Sequence, residues 1–356
     1  MVKNILVTGG AGYIGGSIVA ELMSRTSGLI KATIIVAAVR SEEQVQSLSK
    51  AGVRTVRVNL TDEAAVKETI LRNEIDLVVH IASSSDARIP SYLIQALGQR
   101  YKASGEATYF IHSGVTTLFT AEAGWPYGEV RDTDPVFEKE KEMGGSHPVR
   151  ETDIAVVEQA QLHGVTSFNV VVPQVYGRGT GAWRKLSVSI PAHVRASIKH
   201  KAVYKFDKEG IPPAVHISDL TALYALLVDK ILQNEPIPSG KEGYYFATAH
   251  RASWWDVLQG LANGLYARGL VGEPELRIWP SDRTAAERLE FPVPYVRAMC
   301  TSSGDIVAEN AYRLGWQPKW DEKRYLESMD DEIQAVQELD TVKPTIFASL
   351  INPSDQ

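Results

Sequence analysis

The chain has 356 residues, 44% hydrophobic and 22% charged, with a formal net charge of −6. This is ordinary globular composition with length enough for a large core, and the acidic balance excludes a basic footprint for nucleic acid. The single cysteine, Cys300, excludes an internal disulfide or a cysteine-built metal site, and no apolar run is long enough to span a membrane.

Lys3 to Thr8 is a short apolar run rich in β-formers and predicts a buried strand. Met1 leads straight into it, which leaves no room for a signal peptide, and with the lone thiol points to a reducing, cytoplasmic location. The strand runs into TGGAGYIGG. Gly10, Gly12 and Gly15 fit G-x-G-x-x-G, and Gly9, Gly12 and Gly15 fit G-x-x-G-x-x-G. Such glycines permit a tight turn, close approach of backbone to a pyrophosphate, and packing of helix on strand. Ile14, Ile18, Val19 and Leu22 then recur at helical spacing, which puts the pyrophosphate at a helix N-terminus. Gly9, Ala11, Gly12, Tyr13, Ile14 and Gly15 are therefore candidate dinucleotide contacts.

A second strand is predicted over Ala32 to Arg40. An acidic residue at this strand end would meet a ribose 2′-hydroxyl, whereas Arg40 suits a 2′-phosphate, so NADP is expected over NAD. Further strands are predicted over Gly52–Leu60, Ile75–Ala82 and Ala107–Gly114, and from Ser167 to Gly177 as one continuous strand. Helices are predicted from Thr61, over Ser91–Ala103 and over Thr152–His163. The alternation argues an α/β, doubly wound parallel sheet. Between them, Thr116 to Arg150 reads as a long polar loop whose charge run EKEKE is a solvated face. Leu220, Leu223, Leu227 and Ile231 give a later helix, with Asp219 as its N-cap. Residues 1–177, completed by 209–236, form the expected nucleotide domain. The irregular, aromatic-rich regions 178–208 and 237–330 form a substrate lobe, and 331–356 a C-terminal helix and tail.

On TGGAGYIG, VNLTD, DLVVHIA, the strand ending IHSG, the loop PQVYGRGTG and HISDL, the chain resembles the extended short-chain dehydrogenase/reductase family over nearly its whole length. More closely it resembles an atypical fungal group within that family, whose wider membership acts on sugars, flavonoids, steroids and secondary metabolites. The resemblance implies a Rossmann-like sheet with a smaller C-terminal lobe. It also implies adenine beside Asn59 and Leu60, ribose and diphosphate along Ile81, Ala82 and Ser83, and nicotinamide beside Pro173 and Val175. Family reductases carry a Tyr-x-x-x-Lys pair after the fifth strand and a Ser or Thr at that strand's end. This chain has no such pair there. Alignment by distance puts Arg150 at the lysine position and Ser146 or His147 near the tyrosine. Val115 takes the hydroxyl position, flanked by Ser113 and Thr116.

Arg150 could hold ribose hydroxyls but cannot release a proton, whereas His147 could serve as acid or base. Ser113 and Thr116 complete the candidate catalytic set, with Ser113 and Arg150 also facing the cofactor. Ser84, Val115, Tyr127, Tyr176 and Trp183 are the candidate substrate contacts. The histidines show no paired metal spacing, so no metal is expected. The expected function is NADP(H)-dependent oxidation or reduction of a bulky, apolar or aromatic secondary metabolite, including reduction of an iminium or conjugated system. A redox-neutral isomerase or cyclase using bound NADP, and a non-catalytic NADP sensor, are the alternatives. The partner is a small molecule, with no nucleic acid or membrane, on a monomer or homodimer.

Overall fold

The computed structural model describes residues 2–144 and 147–339. The first half alternates strand and helix: β1 (Asn4–Thr8), α1 (Tyr13–Ser24), β2 (Ile34–Val39), α2 (Glu42–Lys50), β3 (Arg54–Arg57), α3 (Glu63–Arg72), β4 (Leu77–His80), α4 (Arg88–Ser104) and β5 (Tyr109–Val115). The short strand β6 (Val130–Arg131), α5 (Val136–Met143), α6 (Pro148–His163), β7 (Thr166–Val172) and β8 (Gln174–Tyr176) follow. Local chemistry sets the helix starts. Ser41 caps α2 in a reciprocal capping box with Gln44, a helix the hydrophobic pattern did not announce. Asp62, rather than Thr61, caps α3. Left-handed glycines end α4 and α6 at Gly105 and Gly164.

The second half carries α7 (Ser189–His200), β9 (Tyr204–Lys205), β10 (Pro213–His216), α8 (Ile217–Leu232), β11 (Tyr244–Phe246), β12 (His250–Arg251), α9 (Trp254–Ala267), β13 (Arg277–Ile278), α10 (Asp282–Leu289), α11 (Val293–Thr301), β14 (Ile306–Val307), α12 (Asn310–Arg313), α13 (Glu322–Glu327) and α14 (Met329–Leu339). The regions read as irregular are thus largely short helices. Several are capped by Ser253, Ser281 and Asp321, and their brevity gives little periodicity to read.

The central sheet has the order β11-β7-β5-β4-β1-β2-β3 and all its pairings are parallel. It is a doubly wound, Rossmann-like sheet. Alternate residues feed two cores. Val7, Val79, Ile111 and Val170 face α1 and α8, whereas Leu6, Val78 and Phe110 face α3, α4 and α6. A third core, with Trp254, Leu258, Leu261 and Tyr325, fills the C-terminal lobe.

Four expectations are corrected. The strand read through to Gly177 breaks at Pro173, which lacks the N–H needed to continue the ladder. β7 stays in the central sheet, while β8 joins β10 and β12 in a second one. The long loop after Thr116 is ordered into short 3-10 turns, β6, α5 and the first turn of α6. Its charge run lies on α5, and Glu140 is not solvated but fully buried, accepting a hydrogen bond from the Tyr244 hydroxyl at 2.6 Å. Asp219 does not cap α8. The imidazole of His216 takes that place, accepting from the Ser218 N–H at 3.2 Å. Asp219 instead accepts from the backbone N–H groups of Lys319 and Trp320, both at 2.9 Å, which pins the end of the lobe to α8.

Candidate active site

The glycine turn divides into glycines that pack and one that leaves space. Gly9 has φ +67°, and a Cβ there would lie 3.2 Å from the backbone of Ala82. A Cβ on Gly15 would come within 2.3 Å of the Gly9 carbonyl oxygen, so no side chain fits. A Cβ on Gly12 would meet only that same oxygen, at 3.0 Å. Gly12 is also the N-cap of α1 and supplies no side-chain cap, so the first N–H groups of this helix point to an open cradle. Uncapped donors and a floor without side chains suit a diphosphate. Ala11 is buried beneath the turn, and Ile14 leans on the α1 and α8 core. Tyr13 turns its ring inward, and its hydroxyl donates to the Gly177 carbonyl at 2.7 Å.

The neighbouring strand ends are tied to this turn. Thr8 Oγ1 accepts from the N–H groups of Ile81 (3.1 Å) and Ala82 (3.3 Å) and bonds His80 Nδ1 at 2.8 Å. Ser83 accepts from Ser85, and Ser84 is half-buried beside it. At the end of β2, Arg40 is exposed, with its N–H on the Gln44 side chain. Asn59 turns its side chain to Thr61, and Leu60 is half-buried. Pro173 sits in the break between β7 and β8, and Val175 of β8 packs partly against the α1 and α8 core.

The residues expected to act together fall on two faces of the sheet. Ser113 lies on the α8 face, and its hydroxyl makes a short hydrogen bond with that of Tyr224, a fully buried residue of α8. Arg150 lies on the opposite face, in the first turn of α6. Ser113 and Arg150 therefore do not converge as expected. Thr116 is buried at the start of a 3-10 turn, and Val115 is half-buried at the strand end.

On the α6 face, Arg150 is 5% exposed. Its Nη1 donates to the Gly144 carbonyl at 3.1 Å, while Nε and Nη2 are buried without a partner among the described residues. His147 is the half-buried N-cap and makes no side-chain cap bond. Burial, then the Arg150 charge, lowers its pKa, so this imidazole is neutral at neutral pH. Ser146 lies outside the described residues.

Beneath Arg150 sits a group of buried acids that sequence reasoning missed. A Cβ on Gly114 would lie 3.1 Å from both carboxyl oxygens of Asp153, so the glycine of β5 makes room for this side chain. Asp153 Oδ1 is 3.2 Å from His112 Nε2, with both side chains fully buried. Burial pushes Asp153 well up and His112 down to about 3, so the proton rests on the acid and the pair is neutral. Glu140 is also pushed well up, by burial and then by Asp153, against the opposing pull of the Tyr244 hydrogen bond and of Arg150. The legible signal was Asp153 three residues beyond Arg150; nothing marked Glu140 apart from its charged neighbours.

The substrate contacts are only partly brought here. Tyr127 donates to Glu142 at 3.0 Å, at the end of α5. Tyr176 is corrected: it is fully buried in the lobe, its ring centroid 3.8 Å from that of Tyr325. Trp183 packs against the α1 and α8 core. Trp125, Trp254 and Trp279 fill cores, and Trp255 lies under Lys205 at 3.6 Å. Among the described residues no group of three His, Cys, Asp or Glu side chains is placed to hold a metal ion, and no helix is long and apolar enough to cross a membrane.

The sequence model of the NAD dependent epimerase/dehydratase family matches residues 5–237. A curated relative, oxidase ucsJ of Acremonium sp, is 21% identical over 291 residues, 76% of this chain and 81% of that protein. A UDP-glucose 4-epimerase with UDP-glucose from Thermotoga maritima superposes with a TM-score of 0.61 at 15% identity, over 94% of this chain and 99% of that one. A dTDP-glucose 4,6-dehydratase in complex with NAD from Bacillus anthracis gives 0.64 at 13% identity, over 94% and 97%. At such identities these structures show a shared fold.

Proposed function

The chain belongs to the NAD dependent epimerase/dehydratase family, and on that premise we propose that it is an NADP(H)-dependent oxidoreductase acting on a bulky, apolar or aromatic small molecule. The observation that carries this is the open cradle at Gly12, over the uncapped start of α1 and beside the Thr8-tied end of β4. A dinucleotide laid along the strand ends would place its diphosphate there and its nicotinamide toward Pro173 and Val175. Arg40 favours NADP. The name of the curated relative, an oxidase, agrees with a redox role.

The chemistry differs from that of a tyrosine-dependent ketone reductase. The Ser113 hydroxyl is engaged by Tyr224, and His147 is neutral and so better placed to accept a proton than to give one. Hydride transfer needs cofactor geometry and a shaped pocket, and the cofactor supplies the hydride. A substrate already electrophilic, such as an iminium ion or a conjugated system, meets those conditions. The engagement of Ser113 by Tyr224 equally supports a second reading, a redox-neutral isomerisation or cyclisation beside bound NADP. Identifying the nucleotide that copurifies, then following NADPH absorbance with iminium and enone substrates, separates the two. Turnover without any absorbance change selects the second. Failure to bind either nucleotide removes both.

A further inference from the structure

We propose that Arg150 and the start of α6 form a binding site for a carboxylate of the substrate. This deepens the oxidoreductase reading and rests on it for the word substrate. Two independent features meet at this place. α6 is sixteen residues long and its N-cap, His147, offers no side-chain cap. The first backbone bond back to the cap is Glu151 N–H to the His147 carbonyl, at 3.0 Å. Pro148 has no N–H, so Val149 and Arg150 carry the free donors at the positive end of the helix dipole.

The second feature is the guanidinium. Reaching the Gly144 carbonyl places it at this end of the helix, and it is 95% removed from solvent by its 5% exposure. The occupied nitrogen is Nη1. The two left without partners among the described residues, Nε and Nη2, are the edge from which an arginine offers two parallel N–H groups. Two parallel donors on a permanent charge match the two oxygens of a planar carboxylate. Leaving such donors buried and unmet is costly, so the site is built for an acceptor. Of the nearby acids, Glu140 is close enough for the Arg150 charge to oppose the upward push of burial on its pKa, yet among the described residues neither it nor Asp153 makes a hydrogen bond to Nε or Nη2.

The cofactor's phosphates are the wrong occupant on distance. They belong at α1, after β1, whereas the start of α6 lies over Gly114 of β5, two strands away in the sheet order and roughly 10 Å at ordinary strand spacing. The neutral ribose hydroxyls remain the rival occupant, and the experiment separates them.

The probes are sodium formate and sodium acetate, with sodium chloride at matched ionic strength. Thermal unfolding of the parent, Arg150→Lys and Arg150→Gln would be followed alongside calorimetry with NADP, and circular dichroism would confirm that each variant folds. The parent should be stabilised by formate and acetate beyond chloride. Arg150→Lys, which keeps the charge and loses the parallel donors, should weaken the apparent affinity at least about tenfold. Arg150→Gln should abolish the effect, and NADP affinity should be unchanged in both. No carboxylate-specific stabilisation of the parent, or equal stabilisation in Arg150→Gln, overturns the proposal. Loss of NADP affinity in both variants assigns the guanidinium to the ribose and overturns it as well. A parent that responds to formate but binds no NADP leaves the anion site standing and removes the cofactor reading instead.

Discussion

The Tyr13 hydroxyl and the Gly177 carbonyl, 2.7 Å apart, join the first turn of α1 to the loop that leaves β8. Gly177 is fixed on its other side too, its N–H donating to Glu332 of the C-terminal helix at 2.5 Å. A Cβ at Gly177, where φ is +92°, would lie 2.2 Å from His216 Nε2, so only glycine fits. The start of α1, the loop after β8 and α14 thus share one residue. Tyr13→Phe removes a buried donor and leaves the carbonyl unmet. It should cost about 1 kcal/mol, or up to 3 if no water replaces it, read from urea unfolding. Unchanged stability would show that this contact does not hold the grip to the lobe.

The glycines of the turn should separate in their effects. Gly15→Ala would drive a methyl to 2.3 Å from the Gly9 carbonyl and so should destabilise the whole turn. Gly12→Val meets only one oxygen, at 3.0 Å, and projects into the cradle. It should abolish dinucleotide binding in calorimetry while its melting temperature falls far less than that of Gly15→Ala. Normal NADP affinity in Gly12→Val would place the nucleotide elsewhere.

Cofactor choice should rest on Arg40. Its side chain is exposed at the end of β2, beside the capped start of α2. A 2′-phosphate there would gain a charge-assisted contact that NAD lacks. Arg40→Ala should weaken NADP by about ten- to a hundredfold, in proportion to one such contact, and leave NAD nearly unchanged. Equal affinity of the parent for the two nucleotides sinks the expectation.

The parts of this molecule that were legible in its sequence are those with local or periodic causes. A buried parallel strand reads as an apolar run, so β1, β2 and β4 fell within the expected stretches and β5 overran its own by one residue, Val115. The turn from Gly9 to Gly15 was legible because backbone contact demands glycine. The face on which a side chain lies was harder to read. Ser113 was a sensible candidate by position, yet strand alternation turns it to Tyr224 and away from Arg150. Tyr176 followed a strand assumed continuous, and the break at Pro173 carried it into the lobe core. Glu140 sat in a run of charges, and only tertiary packing against Tyr244 and Asp153 distinguishes it from its solvated neighbours.

Glu332 is the carboxyl that holds the Gly177 N–H. Burial, with a smaller push from Asp331, raises its pKa from the ordinary 4.5 to about 7, against the opposing Gly177 hydrogen bond. Around it stand the hydroxyls of Tyr13, Tyr176 and Tyr325, each raised in pKa by burial first and by Glu332 among the other causes, and all neutral in this range. In the unfolded chain the acid loses its proton near 4.5, whereas in the folded protein it keeps it to about 7. Between those values the folded state therefore binds more protons, and stability from this group falls as pH rises. It is fully present below 4.5 and lost as pH passes through 7, a span of about 3 kcal/mol at 1.36 kcal/mol per unit. His80 and His112, both lowered to about 3, act in the opposite sense as pH falls, so the parent's own profile mixes the two. The difference between parent and Glu332→Gln isolates the acid, because glutamine keeps an oxygen for the Gly177 N–H and cannot ionise. Urea unfolding of both proteins at intervals from pH 4.5 to 8 should show the variant gaining on the parent steadily up to about pH 7 and levelling beyond it. A parent–variant difference that stays constant across that range would mean that Glu332 is ionised throughout, and that Gly177 is held by a carboxylate.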